Sequence, residues 1–198
     1  FNADPGRFTW NLPFTVKVSG TATRVCRYFL GAGDWSKIRF DFRKEAVFRE
    51  MEDILARGGW SRDMPAYRPF QEKLKLGRPV TRNGVPLDGL EKIDLYFSSM
   101  ADLLASIRAH GVLPRPPFDM DRVEDYPVSA IRPLSSEVLE RDVGAGLGPD
   151  GELYRVCPGL HRTAAALLLG VPAMPVELRL IHVDFLRKMM RDGEDAIT

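Results

Sequence analysis

The chain has 198 residues, 44% of them hydrophobic, which is enough for one sizeable core, so one elaborated domain is expected, with two small ones as the alternative. Lys and Arg number 28 against 27 Asp and Glu; a net charge of +1 excludes a global field that would gather polyanions, so any anion site must be local. Cys26 and Cys157 lack the paired spacing of a disulfide framework or a structural zinc site, and the longest apolar run, Ala164–Gly170, falls far short of the roughly 20 residues that cross a bilayer.

In chain order, residues 1–18 are aromatic and turn-rich, with Pro5-Gly6 and Pro13 dividing extended pieces such as Phe14–Val18. Lys44–Arg57 sets Val47, Met51, Ile54 and Leu55 at helical spacing, and Gly58-Gly59 is a stop signal. Trp60–Gly89 mixes aromatic, basic, Pro and Gly residues, which suggests one short helix around Phe70–Leu76 and a long loop ending at Asn83-Gly84. Asp94–His110 is the clearest helix, striped by Leu95, Met100, Leu103, Leu104 and Ile107 and stopped by Gly111. Asp119–Asp125 reads as acidic loop; Val128–Arg132 and Val138–Leu147 read as extended. Pro149-Asp150-Gly151 then folds the chain into a hairpin with Glu152–Cys157. A helix over His161–Leu169 capped by Gly170, an alternating strand over Pro175–His182 and a last helix over Asp184–Arg191 complete an α+β pattern. No basic stretch followed by an apolar one opens the chain, so no signal peptide and a cytoplasmic location are expected.

Cys157–Ala166 carries the strongest chemical signal. A strand end passes through Pro158-Gly159 into a helix of Ala and Leu whose polar residues cluster at its start. The first turn of a helix holds N–H groups without intrahelical partners and a partial positive charge of about half a unit, and a glycine lets the backbone approach a ligand closely. Arg162 can add a bidentate fork to two phosphate oxygens, with His161 and the Thr163 hydroxyl as further donors. A plainer reading of the same residues makes Thr163 a helix cap, Arg162 the partner of a nearby carboxylate and His161 a packing residue.

Two stretches resemble the ParB and sulfiredoxin superfamily in the expected order. Leu103–Pro114 resembles its helix-then-turn segment, "LAxSIxxHGLxxP". Gly151–Ala165 resembles its strand, Gly-turn and helix, with the G-x-x-R-x-x-A signature at Gly159, Arg162 and Ala165. Leu169-Gly170 and Val176–Arg179 are similar to the "LLG…VPVEVR" ending. The resemblance spans Asp94–His182. It implies a core over 94–198, a small mixed sheet packed by helices, behind an elaboration over 1–93. It also implies a nucleoside triphosphate such as ATP as ligand, with Mg2+ as its companion, held by Gly159, His161, Arg162 and Thr163 with Ser106, Arg108 and Gly111 beside the same pocket.

The departures narrow the reaction. Sulfiredoxins resemble "GCHR", and Leu160 stands where their catalytic Cys would be, so sulfinic acid reduction is not expected. The second arginine-bearing box and helix-turn-helix of partition proteins do not follow in this sequence, so neither a CTP clamp nor DNA reading is carried over. Kinases of free serine carry a turn like "DGHHRT"; this chain shares His161-Arg162-Thr163 but has Pro158 in place of the acid.

For phosphoryl transfer to a small hydroxylated acceptor a carboxylate is needed, and among Glu137, Asp142, Asp150 and Glu152 the expectation falls on Glu137, with His161 as the second catalytic residue. The alternative is a non-catalytic nucleotide-sensing or nucleic-acid-associated module. Trp35, Trp60, Tyr67, Phe70 and Tyr96, interleaved with Arg62, Arg68, Lys73, Lys75 and Arg78, read as the core of the elaboration with a basic rim. Nucleic acid is therefore not an expected partner. His110, His161 and His182 share no helix face with a second ligand, so no metal site is expected from them, and the sequence leaves the oligomeric state open.

Overall fold

A computed structural model describes every residue except 13–14, 19–20, 25–29, 83, 117, 127, 135–140 and 196–198; for 15–18, 21–24, 30–31 and 193–195 only the backbone is described. The strands are β1 (Asn2–Ala3), β2 (Trp10–Asn11), β3 (Thr15–Val18), β4 (Thr21–Arg24), β5 (Leu30–Gly31), β6 (Phe40–Asp41), β7 (Thr81–Arg82), β8 (Val85–Pro86), β9 (Val143–Leu147), β10 (Leu153–Val156) and β11 (Met174–His182). The α-helices are α1 (Ala46–Arg57), α2 (Arg68–Lys75), α3 (Leu90–His110), α4 (Leu160–Leu168) and α5 (Val183–Asp195). Short 3-10 turns at Pro5–Arg7, Trp35–Lys37, Phe42–Lys44 and Met120–Asp125 punctuate them.

The fold is mixed α and β around a mixed sheet ordered β1-β11-β9-β10-β2-β6, with β5 also on β11. β9 and β10 form the expected antiparallel hairpin, Leu153 opposite Leu147 and Val156 opposite Gly144. β11 returns parallel to β9 after α4, and β2 lies parallel to β10. β1, β2 and β6 thus place the N-terminal segment in the same sheet as the C-terminal strands. Val128–Arg132, expected to be extended, instead closes a tight turn in which Ser129 and Arg132 exchange backbone hydrogen bonds of 3.0 and 3.1 Å. Four residues bonded end to end leave no length for a strand.

Alternation along β10 splits the interior into two cores. Leu153 packs with α1, α3 and α4 in the larger one, while Tyr154 and Val156 face Leu12, Trp35 and Leu180 on the other side. β9 carries small residues where the layers pinch: a Cβ on Gly144 would lie 2.7 Å from the Val156 carbonyl. Ala164, Ala165 and Ala166 are fully buried, so α4 approaches the sheet without a side-chain spacer. Trp35, Tyr67, Phe70 and Tyr96 are buried core rings, as the elaboration reading expected. Among the described residues no helix is long and apolar enough to cross a membrane.

Candidate functional site

Gly159 precedes α4 with φ +99°, a left-handed conformation open to glycine, and an added Cβ would lie 2.7 Å from Val143 Cγ2 and 2.8 Å from its Cα. The first intrahelical bond runs from Thr163 N–H to the Gly159 carbonyl at 2.9 Å, so the N–H groups of Leu160 and His161 precede the ladder. Thr163 corrects an expectation. Its side chain is fully buried and its hydroxyl donates to the same Gly159 carbonyl at 2.9 Å, which ties the turn to the helix and leaves it nothing to donate to a ligand.

His161 joins four elements that lie far apart in sequence. Its Nε2 is 3.4 Å from the Tyr96 hydroxyl on α3, and the two rings meet edge to face. Tyr96 donates to Glu50 Oε2 on α1 at 2.7 Å and accepts from Arg82 Nε on β7 at 3.1 Å. Arg82 Nη2 pairs with Glu50 Oε1, closing a Glu–Arg–Tyr cluster over the Phe70 ring. Burial, and then the Glu50 charge, hold the Tyr96 phenol well above its ordinary value, so it keeps its proton.

Burial, followed by the positive charges of Arg82, Arg155 and Arg132, pushes His161 down from 6.5 to about 4. The imidazole is therefore neutral at pH 7. Arg155 is a buried cation in the middle of β10, donating through Nε to Asn11 Oδ1 at 2.7 Å, while Asn11 donates to Glu45 at 2.7 Å. Three guanidiniums bear on this ring, one of them, Arg82, already paired with the Glu50 carboxylate.

The other expected residues are distributed less simply. Arg162 is mostly buried and turned toward Asp142, Nη1 to Oδ1 at 3.5 Å, and toward the Arg141 carbonyl. Asp142 also accepts from the Arg115 N–H at 2.8 Å, which ties the loop after Gly111 to the Arg162 side of α4. Ser106 and Arg108 are exposed and sit ten and twelve residues beyond Tyr96 on α3, roughly 15–18 Å further along the helix axis. The structure does not bring them to His161. Glu137 lies outside the described residues. Asp150 and Glu152 stand at the hairpin end of β10 and line an open cavity of about 490 Å³ with Trp35, Arg39, Tyr154 and His182, away from Gly159.

Sequence reading missed Glu50, Arg82, Tyr96 and Arg155. Glu50 was findable: it lies at i+3 from Val47 and four residues before Ile54, so a carboxylate stands on the apolar stripe of α1. Arg155 likewise interrupts an apolar strand. The link from Glu50 and Arg82 through Tyr96 to His161 has no local signature. Among the described residues no group of three His, Cys, Asp or Glu side chains could hold a metal ion. His182 Nε2 is 2.8 Å from the Gly33 carbonyl and its Nδ1 accepts from the Asp184 N–H; His110 Nδ1 is 3.2 Å from the Ser106 carbonyl. Compared with protein-family models, curated proteins and solved structures, the chain matches none.

Proposed function

We propose that this chain is a ParB/sulfiredoxin-like protein that binds the phosphates of a nucleoside triphosphate at the N-terminal end of α4 and passes a phosphoryl group to a small hydroxylated acceptor. The observation that carries this reading is the left-handed Gly159 turn that opens α4 at His161, a ring neutral at pH 7 that feels the positive charges of Arg82, Arg155 and Arg132. A phosphate there meets the first amides of a helix, the donors anions favour. The order of elements supports the family: strand β10, Gly-turn, α4, then β11 parallel to β9, with α3 ending at Gly111.

Of the two roles expected of His161, hydrogen-bond donor to phosphate and catalytic residue, the second fits better, as a base. Bound phosphate offsets the positive charges and so raises the basicity of the ring, while burial, the larger cause, still holds it below its ordinary value. The acceptor hydroxyl then gives its proton to the imidazole while its oxygen takes the phosphoryl group, and the nucleoside diphosphate leaves with the bonding electrons. Mg2+, if used, arrives with the triphosphate, since the described residues offer it no carboxylate cluster.

Arg162 must exchange Asp142 and the Arg141 carbonyl for the ligand, and its present contacts favour a second reading, a nucleotide-sensing module without catalysis. Calorimetry with ATP and CTP, followed by 31P NMR of the mixtures, separates the readings. Binding with phosphate transfer supports the enzyme, binding without it supports the module, and no binding overturns both. Arg162→Ala should weaken nucleotide binding by roughly 1.5–3 kcal/mol, the worth of a charge-assisted contact. Asp142→Asn, which still accepts from Arg115 but releases the guanidinium, should tighten it.

A further inference from the structure

We propose that Glu50 and Tyr96 are positioning residues that fix His161 as its Nε2–H tautomer, leaving Nδ1 as the lone-pair nitrogen. The argument is a proton count. Tyr96 has one hydroxyl proton, and it goes to Glu50 Oε2 at 2.7 Å, the shortest contact the oxygen makes. Arg82 Nε, which can only donate, fills one acceptor position of the same oxygen at 3.1 Å. Toward His161 the phenol therefore offers only a lone pair, and the 3.4 Å contact is satisfied when Nε2 carries the proton.

The other ring nitrogen is left as the acceptor. Nδ1 makes no hydrogen bond among the described residues, and as part of a half-buried side chain it stays in reach of solvent. Glu50 is held for this task from the far side, its Oε1 paired with Arg82, so the carboxylate has one oxygen for the cation and one for the phenol. The chain Glu50, Tyr96, His161 thus resolves which nitrogen is basic, using residues from α1, α3 and α4. That the base serves a phosphoryl acceptor rests on the reading above; the tautomer itself does not.

The test is ring 15N NMR of His161 in the full chain at pH 7 without nucleotide, so that its result is independent of the calorimetry. The wild type should show the proton on Nε2. In Glu50→Gln the amide oxygen stays with Arg82 and the amide nitrogen donates to Tyr96, whose own proton is freed for Nε2; the His161 proton should move to Nδ1. Tyr96→Phe should leave a mixture of tautomers. A wild-type ring protonated on Nδ1, or a Glu50→Gln protein that keeps the proton on Nε2, overturns the assignment. A loss of stability without a change of tautomer also overturns it, because that is what a packing role alone produces.

Discussion

Gly159 shows how much a single residue decides. A left-handed φ of +99° combined with Val143 atoms within 3 Å of a would-be Cβ rules out a side chain twice over. Gly159→Ala should therefore cost about 2–4 kcal/mol, the sum of left-handed strain and overpacking, measurable by urea unfolding with the β9–β10 hairpin as reporter. His161 gives a second residue-level prediction. Its folded value of about 4 lies below the 6.5 of an unfolded chain, so between those limits the unfolded state binds the proton first. Its contribution is complete above about pH 6.5 and lost as pH falls toward 4. Wild type should lose roughly 2–3 kcal/mol more than His161→Gln between pH 7 and pH 4. Equal losses in the two proteins would show that the ring is not held neutral by its surroundings.

Between elements, the Glu50–Arg82–Tyr96 cluster fastens α1, the β7–β8 hairpin and α3 in front of α4. Removing one member of a buried pair leaves a charge without compensation, whereas exchanging both for apolar groups of like volume is nearly neutral. Glu50→Ala should cost about 2–4 kcal/mol, moderated because Arg82 keeps some solvent contact. Glu50→Met combined with Arg82→Leu should recover most of it in the same unfolding measurement. If the double variant is as unstable as the single one, the residues act through shape and not charge. The packing of α4 was legible beforehand: an Ala-rich helix after a Gly-turn has to lie close against something, and Ala164–Ala166 do.

At the scale of the whole molecule, protection should be graded. β9, β10 and β11 are covered on both faces by the two cores, whereas α5 exposes Met189 and Met190 and half-buries Phe185 and Leu186. Native-state hydrogen exchange should find the amides of Ala145, Val156 and Leu180 opening only with global unfolding, and those of α5 beyond Leu186 opening at far lower free energy. Uniform protection across both would mean that α5 unfolds with the sheet.

Local pattern alone determined most of the elements, because helix and strand periodicities and the Pro and Gly punctuation act over a few residues. The α3 stripe, the hairpin at Pro149-Asp150-Gly151 and the Gly-turn before α4 were all written that way. The sheet order, the parallel return of β11 onto β9 and the recruitment of β2 and β6 were decided only by packing. So was the destination of each polar residue near the turn: Thr163 went to the Gly159 carbonyl, Arg162 to Asp142, and Ser106 and Arg108 to the exposed face of α3. Tyr96, with Glu50 and Arg82 behind it, came to His161 from segments tens of residues away. Burial raises the cost of an unpaired polar group, so partners are chosen in three dimensions, where sequence distance carries no weight.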